Sequence, residues 1–182
     1  MKEMVDAFSQ YARAPALDFG EIDVNALLTE VADLYRVQAA DIELDLDPAL
    51  PRVRADEGRM RQVFNNLLRN AVEASESSKP EIVLSTRLSV GETASAIEII
   101  VADNGPGIAE EFMHRIFEPY VSTKRKGTGL GLAIVRKIVE EHGGQIRASN
   151  RKPAGAQISI LLPVTGGSVM LHGQQEQRRE RA

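Results

Sequence analysis

The sequence contains no cysteine, which excludes disulfides and thiolate metal sites and fits an intracellular compartment. It also has no apolar run near the roughly 18–20 residues that a bilayer-spanning helix needs, and the Met1-Lys2-Glu3 start leads into no signal-peptide core. The chain as given is therefore expected to be soluble and cytoplasmic, with any inner-membrane anchor belonging to a longer parent protein. Clustered positive charge is missing too. With 22 Lys and Arg against 26 Asp and Glu, the formal charge is -4, so no basic surface rewards contact with nucleic-acid phosphates, and that class of partner is set aside. Aromatic residues make up only 4%, yet a 43% hydrophobic share of 182 residues is enough to bury one core. One compact domain with flanking pieces is expected.

Met1, Met4, Val5, Phe8, Tyr11 and Ala12 recur at helical spacing up to Pro15, which predicts a short amphipathic helix. A second helix is predicted from Val24 to about Gln38, N-capped by Asp23, with Leu27, Leu28, Val31, Leu34 and Tyr35 on its apolar face. Ile42, Leu44 and Leu46 alternate with acids as in a half-buried strand. The clearest helix runs from Glu57 to Ser77, with Met60, Val63, Phe64, Leu67, Leu68, Ala71 and Val72 inward. Ile82 to Leu88 and Ile97 to Val101 read as an antiparallel strand pair turning near Gly91-Glu92. From Gly105 to Gly131 the chain is rich in glycine and proline, broken only by a short helical stretch around Glu110 to Ile116; irregular segments this long are usually lids or binding loops. A helix from Leu130 to His142, stopped by Gly143-Gly144, leads into a last strand pair, Gln145 to Ser149 and Gln157 to Leu162. After Pro163 the composition turns polar and disorder is expected.

Three stretches can carry chemistry. Gln62, Asn66, Asn70 and Glu73 share one polar stripe of the Glu57 helix. Asn70 borders the apolar face, where an amide oxygen suits a hard cation that keeps waters and phosphate oxygens as its other ligands. Taken alone, such a stripe is an ordinary solvated face. Asp103-Asn104-Gly105-Pro106-Gly107-Ile108 follows a strand directly, which sets a carboxylate at the sheet's end, able to accept from the exocyclic amine of adenine, and lets backbone approach a ligand. The same residues also form tight turns for steric reasons alone. Gly127-Thr128-Gly129-Leu130-Gly131-Leu132 opens a helix whose free N–H groups can hold phosphate oxygens. It lacks the Lys-Ser/Thr ending of a P-loop, and Leu132 stands where a dinucleotide fingerprint needs its third glycine. Lys124 and Lys126 just before it can neutralise phosphate charge, or can simply be solvated.

The order of these stretches, together with Ile116-Phe117-Glu118-Pro119-Tyr120 between the last two, resembles the catalytic ATP-binding domain of two-component sensor histidine kinases. That family lies within the gyrase, Hsp90, histidine-kinase and MutL superfamily. Gln62 to Ala74 matches the N box, Asp103 to Ile108 the first glycine box, Ile116 to Tyr120 the F box and Gly127 to Leu132 the second glycine box. Gly155-Ala156 is a looser match to a further glycine box. The resemblance covers Ile22 to Pro163. It implies an α/β fold, a two-layer sandwich in which a mixed five-stranded sheet is covered on one face by helices, the Bergerat-type ATP-binding fold. By position it implies Asn70 as magnesium ligand, Asn66 on the phosphate side and Asp103 as the adenine-reading carboxylate. Gly105, Gly107 and Ile108 would shape the adenine pocket. Phe117 would pack the lid, Lys124 would approach the terminal phosphates, and Gly127, Thr128, Gly129, Leu130 and Gly131 would form the phosphate-binding hinge. ATP and Mg2+ are the implied cofactors.

Met4-Val5, Phe8 to Arg13 and Pro15 are similar to the end of the second dimerisation helix of nitrogen-regulation sensor kinases of the NtrY and NtrB type, and Tyr120 to Lys124 suits that group. Residues 1–15 are then a stub of the dimerisation hairpin, 16–163 the ATP-binding domain and 164–182 a disordered polar tail. The resemblance further implies a homodimeric parent and a response regulator as partner. The acceptor histidine of such kinases is absent: His142 closes a helix, His114 lies in the lid region and His172 in the tail. The chain thus reads as a fragment that needs a separate histidine-bearing hairpin. Superfamily ATPases place a glutamate where this chain has Asn66, and an amide cannot take a proton from water, so slow hydrolysis is expected. A non-catalytic nucleotide-sensing module, an ATPase clamp and an anti-sigma-type serine kinase are the rival readings.

Overall fold

The computed structural model describes residues 16–37, 40–75, 79–90, 95–122 and 127–164. The helix expected over the first dozen residues, the Gly91-Glu92 turn, Lys124, Lys126 and the polar tail lie outside them. The elements run β1 (Gly20–Ile22), α1 (Val24–Arg36), β2 (Asp41–Leu46), β3 (Val53–Ala55), α2 (Glu57–Ala74), β4 (Glu81–Val90), β5 (Ser95–Asp103), α3 (Glu110–Met113), α4 (Gly131–Glu141), β6 (Gln145–Asn150) and β7 (Ala156–Pro163). Five strands form one sheet in the order β2-β4-β5-β7-β6. The β2–β4 pair is parallel and the other three pairs are antiparallel, which makes the sheet mixed, as the resemblance implied. A small antiparallel β1–β3 pair was not foreseen, because strands of three residues are too short to show alternation.

Register explains why only one face is covered. Leu84 pairs with Val101 and Val101 with Ile158, while Thr86 pairs with Ile99 and Ile99 with Ile160. These rows point toward the helices, because side chains two apart on a strand share a face. Against them α2 buries Met60, Val63, Phe64, Leu67, Leu68 and Ala71, flanked by Leu28 and Val31 of α1 and by Val135, Ile138 and Val139 of α4. Thr86 is fully buried in this core, but its hydroxyl donates to Asn25 Oδ1 (2.8 Å) and accepts from Asp47 N (3.1 Å). Leu34, expected on the apolar face of α1, is instead 57% exposed. At 100° per residue it lies about 90° from the centre of the buried stripe, which is too far round to reach the sheet. No helix among the described residues is long and apolar enough to cross a membrane.

Asp23 and Asp56 cap α1 and α2 through Ala26 N and Arg59 N. Asp56 also accepts from Asp18 N through its second oxygen. Burial works to raise the pKa of this carboxyl, but donation from the Arg59 and Asp18 N–H groups outweighs it and holds the group below the ordinary carboxylate range. The same corner accounts for His142, which is buried against the Phe19 ring. Its Nδ1 lies 2.7 Å from Ile138 O, and its Nε2 accepts from Asp56 N at 3.0 Å. A carbonyl only accepts and a backbone N–H only donates, so the ring is neutral with its proton on Nδ1. Both nitrogens are committed, and the ring clamps the end of α4 to the start of α2. Replacing it as His142→Leu removes both hydrogen bonds while keeping apolar bulk. The expected loss is about 1–3 kcal/mol in denaturant unfolding, and an unchanged midpoint would show that the clamp contributes nothing.

Candidate nucleotide-binding site

The packing that buries one face of α2 leaves its polar edge turned toward the start of α4. A β-carbon added at Gly131 would lie 3.6 Å from Asn66 Oδ1, 3.8 Å from Arg69 Nη2 and 3.9 Å from Asn70 Nδ2. The amides read from the N box thus stand beside the glycine stretch read as phosphate-binding. Leu130, at the N-cap of α4, supplies no side-chain cap, so the first-turn N–H groups are available to an anion. Asn66 is buried and both ends of its amide are engaged: its Nδ2 donates to Gln62 O (3.0 Å) and its Oδ1 accepts from Arg69 Nη2 (2.5 Å). Asn70 is half-buried, and among the described residues nothing hydrogen-bonds its amide. Its oxygen is therefore uncommitted beside the anion position. No group of three or more His, Cys, Asp or Glu among the described residues could hold a metal. A magnesium ion bound by one amide oxygen, with waters and phosphate oxygens completing the shell, fits such a donor set.

About 12 Å along α2 from Asn66, at 1.5 Å per residue, Ala74 meets the other end of the site. A β-carbon at Gly105 would stand 2.9 Å from Ala74 Cβ, so the first glycine box is pressed against the end of the same helix. Asp103, the last residue of β5, is only 8% exposed. Its Oδ1 accepts from Gly105 N (2.8 Å) and Ala156 N (3.1 Å), which fixes the carboxylate plane and leaves Oδ2 free to accept. Asn104 is structural: its Oδ1 accepts from Ser75 Oγ and Glu81 N, joining the end of α2 to β4.

The looser glycine match has a strict steric basis. Gly155 adopts φ +109°, and a β-carbon there would fall 2.0 Å from Asp103 O, so no side chain fits where the β6–β7 turn backs the carboxylate. Asn150, which sequence reading missed, clasps Ile108 from both sides: Ile108 N donates to its Oδ1 (2.7 Å) and its Nδ2 donates to Ile108 O (2.8 Å). Gly107 turns through φ +83° against that same amide. No local pattern signals a clasp spanning 42 residues.

On the lid side, Tyr120 N donates to Gly129 O (2.9 Å), closing the loop from the F box to the second glycine box. Gly129 has φ +67°, and a β-carbon there would lie 2.6 Å from Tyr120 C, which requires glycine. Thr128 Oγ1 accepts from Leu130 N at 3.4 Å, and Gly127 is exposed. Phe117 is only half-buried; its neighbour Ile116 is the residue driven inside. Lys124, read as approaching the terminal phosphates, lies outside the described residues. Among the described residues, Arg69 brings a cation beside Gly131, and it had no assigned part in the sequence reading.

Comparison with known proteins gives the family. Residues 55–166 match the family described as histidine kinase-, DNA gyrase B-, and HSP90-like ATPase. The chain is 38% identical over 168 residues to the nitrogen regulation protein NtrY of Azorhizobium caulinodans, a match covering 90% of this chain and 22% of NtrY. It therefore spans about a fifth of that relative's length. The nucleotide-free catalytic domain of histidine kinase ThkA superposes with a TM-score of 0.71 at 36% identity, covering 82% of this chain and 97% of that one. Full-length ShkA in complex with AMPPNP gives 0.75 at 32% identity, over 93% of this chain and 36% of ShkA. The chain belongs to the histidine kinase-, DNA gyrase B- and HSP90-like ATPases, as an ATP-binding catalytic domain of the histidine-kinase branch.

Proposed function

We propose that residues 16–163 lay magnesium-ATP along the polar edge of α2 and present its terminal phosphoryl group to a histidine on a separate hairpin of the parent kinase, of which residues 1–15 are the end. One observation carries this reading. The uncommitted amide of Asn70 and the uncapped start of α4 sit at one end of the edge, and the half-occupied carboxylate of Asp103 sits at the other. Asp103 Oδ2 accepts from the adenine amine. Asn70 supplies an oxygen to the magnesium ion, which when bound neutralises charge on the phosphates. The α4 N–H groups take phosphate oxygens, and Lys124 approaches from the lid. In the transfer, the bond from the terminal phosphorus to the bridging oxygen breaks with its electron pair leaving on ADP, a phosphorus–nitrogen bond forms at the imidazole, and the ring loses a proton. Catalysis is positioning and charge neutralisation.

Asn66 supports transfer over hydrolysis, since both ends of its amide are engaged and neither can take a proton from water. His142 is excluded as the acceptor by the commitment of both its nitrogens. The parent on this reading is a homodimeric sensor kinase of the nitrogen-regulation type, anchored in the inner membrane with this domain in the cytoplasm, passing the phosphoryl group to a response regulator.

Two measurements test the reading. In calorimetric titration with magnesium, Asp103→Asn is expected to weaken ATP binding roughly tenfold to a hundredfold, because the amide keeps its oxygen on the Gly105 and Ala156 N–H groups and turns a donor toward the adenine amine. GTP, whose base presents a carbonyl there, should gain on ATP in the same variant; an unchanged ATP-to-GTP ratio would remove Asp103 from base reading. The second measurement mixes the chain with labelled ATP and either a histidine-bearing hairpin or a serine-bearing partner. Acid-labile label on the hairpin and slow hydrolysis without it are expected. Acid-stable label on the serine partner, or rapid turnover by the chain alone, would contradict histidine transfer.

A further inference from the structure

The placement of Arg69 is unfavourable in the protein alone. Its guanidinium stands beside the first turn of α4, with Nη2 3.8 Å from where a Gly131 β-carbon would be. That is the positive end of a helix, where a cation is repelled unless an anion intervenes. Among the described residues no carboxylate forms an ion pair with Arg69, although its neighbour Arg61 on the same helix takes both Glu30 and Glu57. Nor is the side chain left to wander. Asn66 Nδ2 donates to the Gln62 carbonyl, which sets the amide so that its oxygen faces outward and accepts from Arg69 Nη2 at 2.5 Å. A buried amide is thus used to hold an exposed cation against an uncapped helix start.

We propose that Arg69 is a nucleotide-binding residue that donates to the terminal phosphate oxygens, with Asn66 as its positioning residue. The inference rests on the nucleotide reading above and deepens it at the phosphate end. An anion between Arg69 and the α4 N–H groups turns the repulsion into attraction on both sides. The planar guanidinium, with one nitrogen already moored, offers its other donors to phosphate oxygens as a fork. Asn66 then serves phosphate binding indirectly, through the arginine that its amide oxygen moors. Because the contact is at the phosphate end, it separates nucleotides by phosphate number and leaves the base untouched.

The test titrates a non-hydrolysable ATP analogue, ADP and adenosine, each with magnesium, into wild type, Arg69→Gln, Arg69→Lys and Asn66→Ala. Thermal unfolding checks that each variant is folded. Arg69→Gln is expected to weaken the analogue roughly tenfold to a hundredfold and to leave adenosine within about twofold. Arg69→Lys should recover part of the loss, because the charge returns without the fork. Asn66→Ala should weaken the analogue less than Arg69→Gln, also without moving adenosine. Equal losses for adenosine and the analogue in folded Arg69→Gln, or no loss for either, would overturn the proposal while leaving the site itself intact. Wild type that binds neither ligand would overturn both this proposal and the nucleotide reading beneath it.

Discussion

The site depends on how α2 is held. Met60, Val63, Phe64, Leu67 and Leu68, with the smaller Ala71, sink into the sheet and its flanking helices, and the burial of the five large side chains, at about 1.5–3 kcal/mol each, fixes the rotation of the helix about its axis. Asn66, Arg69 and Asn70 follow on an edge that must then face α4. The helix is also clamped at both ends. His142 ties its first turn to the end of α4, and the Ser75–Asn104 bond ties its last turn to the strand that carries Asp103. One rigid element therefore sets the spacing between the Asp103 carboxylate and the amide edge beside α4, the two ends that the proposed nucleotide pose uses, and neither position relies on a loop for its register.

The base end is held by a different kind of constraint. Asp103 is braced by backbone: two N–H groups on one carboxylate oxygen, and Gly155 packed so close to its carbonyl that a single β-carbon would collide. Backbone donors lose no side-chain entropy on binding and do not titrate, so a carboxylate fixed by them keeps its plane whether or not a ligand is present. Ile108 is held instead by a side chain, the Asn150 amide, which accepts from its N–H and donates to its carbonyl. The loop between them needs no regular structure because three chain segments meet on it.

Much of this was legible in the sequence, for reasons that mark where reading stops. The helices showed because seven apolar residues between Met60 and Val72 recur at helical spacing, and the strands showed because Ile97, Ile99 and Val101 alternate as they must on a half-covered face. Asn70, Asp103 and Gly131 drew notice because they stand in stretches whose order along the chain resembles a family pattern, and the fold sets Asn70 beside Gly131. Three-residue strands carry no period, which hid β1 and β3. Leu34 was misplaced because periodicity defines a stripe but not how wide a stripe the sheet can cover. Asn150 was invisible because its partner lies far away in sequence, and Arg69 because an arginine between two asparagines looks like solvent decoration until the start of α4 is seen beside it.

The net charge raises a last physical question, since a chain at -4 is asked to hold a polyanion. Overall charge governs long-range approach and is screened within about 8–10 Å at ordinary ionic strength, whereas binding is decided by what lies within hydrogen-bond reach. There the site presents an uncapped helix start and a moored guanidinium, and the acidic Asp103 is placed at the far end of α2, where the proposed pose puts the adenine amine. The acids of β2 lie on the edge strand opposite β6, away from the phosphate end. Separating the signs along one helix lets a net-acidic chain offer a phosphate-favouring end, and in the proposed pose it makes the orientation of the nucleotide an electrostatic consequence of the fold, with the base at the carboxylate and the phosphates at the helix start.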